Sequence, residues 1–282
     1  MSEPDDSVDI LMITHQRPEY VALSLPRLLE TVDARTHVWL WHNGSDEATL
    51  KVVKDYVNHP QVSEFFWSKE NVGIRAPTNW MWARSQATYI SKVDDDCLVS
   101  PGWIEHFRSM HRGNALLGVV GSWRFYDEDF NPLTAMSKVR KTASGNRIML
   151  NHWVQGSGYL AKRSLTDQIG LIREGESFPD WCIRAAQAGY FNGWAFPFLH
   201  EEHMDDPRSP WTLYRDDAIF QQLLPLSAKQ TGVTTVNEWT GQMQRSASVV
   251  QSATLDHRSY RGWRLRVSRL RRRLMRLLGY AR

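Results

Sequence analysis

The chain has 282 residues, 42% of them hydrophobic and 23% charged, enough apolar material for one large domain or one domain with an appendage. Cys97 and Cys182 stand far apart and outside any C-x-x-C pattern, which argues against a disulfide framework or a zinc knuckle and fits a reducing compartment. The formal net charge of +3 hides an asymmetry: ten of the 34 basic residues are arginines after Asp256, leaving 24 bases against 31 acids and a net −7 before that point.

The first residues, Met1 to Asp9, are polar and acidic, unlike a secretory signal, and no run of about 18 apolar residues could span a bilayer. Asp9 to Thr14 is a short apolar run, a buried parallel strand, broken by His15-Gln16-Arg17-Pro18. Tyr20, Leu23, Leu25, Leu28 and Leu29 then recur at helical spacing. A second strand, His37 to Trp41, ends at the turn signal Asn43-Gly44-Ser45-Asp46. Leu50, Val53 and Tyr56 mark a second helix, Val62 to Trp67 a third strand, and Trp80, Ala83, Ala87 and Ile90 a third helix leading into the strand Tyr89 to Val93.

That alternation is the pattern of a parallel α/β sheet, whose ligands bind beyond the carboxyl ends of the strands. Further along, a helix follows Pro101-Gly102-Trp103, Gly118 to Trp123 reads as a strand, and Asp127 to Lys141 as an exposed loop or hairpin. Trp153 to Leu160 is a glycine-rich strand or turn, Asp180 to Gly189 is helical, and the Thr/Ser/Gln-rich stretch 227–257 reads as a connector with some helix. The division is a catalytic domain over 1–226, the connector over 227–257 and a basic helix over 258–282. Thirteen Trp suit core packing, with sugar stacking as the functional alternative.

The strand Tyr89 to Val93 runs into Asp94-Asp95-Asp96. Such a cluster at a strand end is costly without a positive partner. If strand geometry persists, Asp94 and Asp96 point the same way. Paired oxygen donors suit Mn²⁺ or Mg²⁺, which keep part of their shell for phosphate oxygens and act as Lewis acids on a departing diphosphate. The plainer alternative is a solvated turn or a helix N-cap.

The order Met12-Ile13-Thr14-His15-Gln16-Arg17-Pro18, Trp41-His42-Asn43-Gly44-Ser45, Asn71-Val72-Gly73, Asn79, Tyr89-Ile90 and Asp94-Asp95-Asp96 resembles the large inverting family of nucleotide-sugar glycosyltransferases with the GT-A fold, family 2-like. The resemblance spans roughly the first hundred residues. It implies a metal-dependent enzyme with a mostly parallel, Rossmann-like sheet flanked by helices, moving a sugar from a nucleotide-sugar donor to a glycan or lipid-linked acceptor, as in polysaccharide biosynthesis. It places Thr14 and Arg17 in the first nucleotide-binding loop, and Asn71, Gly73, Arg75 and Asn79 over the ribose and phosphates. Asp94 and Asp95 go to the donor diphosphate and Asp96 to the metal. His42, with Asn43 beside it, stands where the family commonly has an Asp that reads the base, so the donor base is open.

Inverting transfer needs a base for the acceptor hydroxyl. The segment Glu174 to Arg184 resembles the family's late acidic segment, which makes Asp180 the expected base and Glu176 its rival, with an N-terminal helix cap as the structural alternative for Asp180. His200-Glu201-Glu202-His203 is not the H-E-x-x-H zinc pattern. In the resembling family a His after a late strand supports the metal, which points to His203 first and His200 second, against a plain surface role. Trp153, Gln155, Gly156 and Trp181 resemble the acceptor region.

Beyond Arg258, Trp263, Val267, Leu270, Leu274 and Leu277 form one helical stripe with arginines mostly off it. Such a helix suits an anionic membrane surface, hence a cytoplasmic, peripheral enzyme on the inner face. Docking on the acidic body, or on a protein or nucleic acid, are the alternatives; an acidic body is a poor partner for nucleic acid. A nucleotide-sugar-forming nucleotidyltransferase would want a glycine-rich basic loop after the first strand, which His15-Gln16-Arg17-Pro18 is not. A non-enzymatic membrane- or partner-binding module would leave Asp94 to Asp96 unexplained.

Overall fold

The structure is a computed structural model, and residues 6–260 are described. The first half alternates as the sequence implies: β1 (Val8–Thr14), α1 (Pro18–Thr31), β2 (Thr36–Asn43), α2 (Glu47–Lys54), β3 (Val62–Ser68), α3 (Arg75–Arg84) and β4 (Tyr89–Asp94). All seven residues of β1 are buried, as a central parallel strand covered on both faces requires. A short β5 (Cys97–Val99) and α4 (Trp103–Arg112) lead to β6 (Leu117–Gly121).

The segment after Asp127 carries more structure than a plain loop and ends in a hairpin strand. Two 3-10 turns flank α5 (Pro132–Ala135), and β7 (Val139–Lys141) pairs antiparallel with β8 (Arg147–Asn151). Then come β9 (Tyr159–Lys162), α6 (Ser164–Ile169), α7 (Phe178–Gln187), β10 (Phe191–Phe196), β11 (Glu201–His203), α8 (Asp217–Gln222), α9 (Leu226–Thr231) and α10 (Val236–Ser252).

Nine strands form one sheet in the order β3-β2-β1-β4-β9-β6-β10-β8-β7. Strands β3, β2, β1 and β4 are parallel, β9 is antiparallel to both β4 and β6, and β6 is parallel to β10. Alternation along β1 builds a core on each face. Ile10 and Met12 pack with Leu25, Leu28 and Phe107, while Leu11 and Ile13 pack with Trp82, Trp181 and Trp194.

The polar stretch read as a connector contributes to the core. On α10, Trp239, Met243, Ala247 and Val250 recur at steps of four, four and three, and all are buried. Gln251 accepts from Asn131 N and donates to Asp129 O, and Lys138 Nζ donates to Val250 O. The composition is polar because only one stripe of this helix faces inward. The predicted basic helix falls almost wholly on 261–282, outside the described residues. Among the described residues no helix is long and apolar enough to cross a membrane.

Candidate active site

Register brings the strand ends together. Thr14 stands opposite His42 across β1 and β2, and Ile13 opposite Asp94 across β1 and β4. Strand geometry does not persist through the three acids: β4 ends at Asp94, the chain turns, and β5 starts at Cys97. Asp94 therefore parts from Asp96. Its carboxylate accepts from Lys92 Nζ and its amide donates to Ser157 Oγ. Asp95 and Asp96 are instead the pair that share a partner. Arg17 Nη2 lies 3.5 Å from Asp95 Oδ1 and 3.2 Å from Asp96 Oδ2, and the amide of His15 donates to Asp95 Oδ2 at 2.9 Å.

A fourth acid joins them from the far end of the chain. Arg17 Nη1 donates to Asp205 Oδ1 at 2.6 Å, and the Tyr214 hydroxyl donates to the same oxygen at 2.6 Å. The carbonyl of Asp205 accepts from Trp239 Nε1 on α10. Arg17, expected at the donor, is thus spent on three carboxylates. Strand β11 pairs antiparallel with β5, setting His203 opposite Cys97 and its Nε2 3.9 Å from Asp96 Oδ2.

Burial would raise the Asp96 carboxyl, but the Arg17 guanidinium outweighs it and holds the group below the usual carboxylate range. Burial pushes Asp95 up to about 7, against the pull of Arg17 and with the repulsion of Asp96 added. Burial also keeps His203 neutral by lowering its pKa, Arg124 adding to the effect. An ionised carboxylate beside a neutral imidazole is the donor form a divalent ion needs.

Asp96, Cys97 and His203 bring one ligand atom each within 4.8 Å of one another. Burial and Glu201 push the Cys97 thiol up, so it stays protonated and donates to Asp96 Oδ1 at 3.4 Å. The set that fits a hard ion is therefore Asp96 and His203. His200 does not belong to it: its Nε2 pairs with Glu202 Oε2 at 3.1 Å. Alternation along β11 sends Glu201 and His203 one way and Glu202 the other.

The loop expected on the nucleotide side is organised by His15. Its Nδ1 meets the Asn43 carbonyl at 2.6 Å and its Nε2 meets Asn71 Nδ2 at 3.1 Å. A carbonyl only accepts and an amide nitrogen only donates, so the ring is neutral with its proton on Nδ1. Asn43 Nδ2 donates to Asn71 Oδ1 and the Gly73 carbonyl, and its Oδ1 accepts from Val72 N. These bonds hold Asn71 to Arg75 as an exposed rim; the Arg75 side chain makes no hydrogen bond or ion pair among the described residues.

Several expected donor contacts lie elsewhere. Thr14 and His42 are fully buried and bond to each other at 3.0 Å, so His42 offers no atom to a base. Asn79 is used by the chain: Nδ2 donates to Ile172 O and Oδ1 accepts from Ile172 N, tying down the loop before α7.

Asp180 sits at the third position of α7 in a capping box. Its Oδ2 accepts from Ser177 N and Oγ at 2.9 and 2.7 Å, while Oδ1 has no hydrogen bond among the described residues. Glu176 instead accepts from Arg184 Nη2 at 2.8 Å and Arg173 N at 3.0 Å through one oxygen, which makes it a fastener of the loop. Trp181, expected on the acceptor side, is fully buried: its ring packs against Trp82 and its Nε1 donates to Gly170 O. Gly156 lies against Phe178 at the start of α7, and Trp153 is half-buried and edge-on to Trp194. Gln155 is buried, accepting from Trp194 Nε1 at 2.6 Å and leaving its own Nε2 without a partner.

Sequence reasoning passed over His15, Asp205 and Cys97 as site residues. His15 had a signal, its place directly after a strand, whereas Asp205 had none, since its partner lies 188 positions away.

No curated protein matches the chain. Among solved structures, it is similar to the mannosyltransferase PcManGT from Pyrobaculum calidifontis in complex with GDP-Man and Mn²⁺, at 14% identity and a TM-score of 0.56, over 92% of this chain and 81% of that one. The likeness shows a GT-A fold. The family model for Glycosyl transferase family 2 matches residues 9–170. The chain belongs to glycosyl transferase family 2.

Proposed function

We propose that the protein moves a sugar from a nucleotide-sugar donor to an acceptor hydroxyl with inversion, assisted by Mn²⁺ or Mg²⁺. The observation that carries this is the meeting of Asp95, Asp96 and His203 at the carboxyl ends of the parallel strands, beside the rim built by His15, Asn43 and Asn71. Asp96 and His203 would hold the ion, which neutralises the departing diphosphate as a Lewis acid. Asp180 takes the acceptor proton, because among the described residues its carboxylate meets no cation, where the Glu176 carboxylate is ion-paired to Arg184. Gly156, against Phe178 at the start of α7, would shape the acceptor side together with Trp153 and Gln155, which pack on Trp194.

GDP-mannose, present in the similar solved structure, is the first donor to try. The acceptor is a glycan or a lipid-linked sugar, and 258–282, with nine arginines after Arg258, would bring the enzyme to the anionic cytoplasmic face of a membrane. Release of free nucleoside diphosphate from GDP-mannose and UDP-glucose, with and without EDTA, tests the reaction. Turnover that stops in EDTA and in Asp96→Asn is expected; turnover indifferent to both would end the metal-assisted reading.

A further inference from the structure

The acid cluster already holds a cation. Arg17 spans Asp95, Asp96 and Asp205, and the oxygen of Asp96 that receives Arg17 Nη2 also faces His203 Nε2. A divalent ion on Asp96 and His203 would meet the guanidinium at that oxygen, and two positive groups there repel. Arg17 reaches this place through two consecutive left-handed residues, Gln16 at φ 56° and Arg17 at φ 52°, neither of them glycine. L-residues adopt that backbone at a cost, which the three ion pairs offset. The far wall is held to the same point, since Tyr214 and Trp239 fix Asp205 and Tyr20 donates to Met204 O.

We propose that Arg17 is an internal counter-cation that keeps divalent-ion affinity low until a nucleoside diphosphate arrives. The diphosphate, a better bidentate partner for a guanidinium, draws Arg17 off Asp96, and the ion takes the vacated oxygen. Metal and nucleotide then bind with positive coupling, each raising the affinity for the other by the same factor. This rests on the metal-assisted reading above. It also explains how a residue in the first nucleotide-binding loop is found turned onto carboxylates: Arg17 has two sets of partners, and the structure shows one.

Mn²⁺ binding to the full chain, followed by the EPR signal of the free ion, tests this with no nucleotide, with GDP and with UDP. The wild type is expected to bind Mn²⁺ weakly alone and about tenfold or more tightly with one of the nucleotides. Arg17→Met is expected to bind Mn²⁺ alone about tenfold more tightly than wild type and to lose most of the nucleotide gain. Arg17→Lys should fall between, because a point-charge ammonium cannot span Asp96 and Asp205 together.

Thermal melts with and without Mn²⁺ run alongside. An Arg17→Met protein that folds only with Mn²⁺ supports the proposal, the ion replacing the lost cation; if it folds under neither condition, Arg17→Lys decides. Unchanged or weaker Mn²⁺ affinity in the variants overturns the proposal. So does a wild type that binds Mn²⁺ tightly and indifferently to GDP and UDP, which leaves the metal-assisted reading intact. A wild type that binds no Mn²⁺ under any of these conditions sinks that reading itself.

Discussion

Glu201 is fully buried on β11, with Oε1 accepting from the Ser157 hydroxyl at 2.8 Å and Oε2 without a partner. Burial, with Asp94 adding to it, pushes its carboxyl from 4.5 up to about 7, against Ser157, Arg124 and Lys92. A carboxyl raised on folding binds its proton more tightly in the native state. Its contribution is therefore whole below pH 4.5 and is lost as pH rises through 7. The gap between those values corresponds to roughly 3 kcal/mol. Glu201→Gln cannot titrate, so its stability relative to wild type should rise by about that amount between pH 4.5 and pH 8. Urea denaturation of both proteins at several pH values in EDTA measures the difference, since titrations not coupled to Glu201 cancel. A wild-type-minus-variant difference that stays flat across this range would refute the assignment of a buried, mostly protonated carboxyl beside the site.

Asp180→Asn should lower kcat by about 10²–10⁴ with little change in donor KM, while Glu176→Gln acts mainly on stability; steady-state kinetics and melting curves separate the two. Trp181→Ala should cost about 3–5 kcal/mol in urea denaturation without a specific effect on acceptor KM, as for any buried core indole. At Gly44, where φ is 147°, an added Cβ would lie 3.1 Å from His15 Nδ1. Gly44→Ala should therefore push His15 off Asn43 and Asn71 and raise donor KM several-fold while leaving kcat near wild type.

The parallel half of the fold was legible because β1, β2 and β4 are short apolar runs and α1 and α2 each carry an apolar stripe; α3 was found although Ala83 is exposed and Ala87 lies beyond its end. The second half was harder to read. β9 enters the sheet between β4 and β6, far from its sequence neighbours, and no local pattern encodes that. The stretch 227–257 looked like a connector because composition averages over a helix, whereas burial depends on a single face of α10. Among site residues, Trp181 and His42 were named from position along the chain, yet their exposure depends on what packs over them.

Local chemistry alone determined the order of strands and helices in the first hundred residues and the acids at a strand end, while the histidine after a late strand was implied by the family resemblance. Only tertiary structure decided which acids share a partner, because a turn after Asp94 separates it from Asp96. It also decided that Arg17 faces Asp205, since ion pairing acts through space between elements that the sheet brings side by side, whatever their distance along the chain.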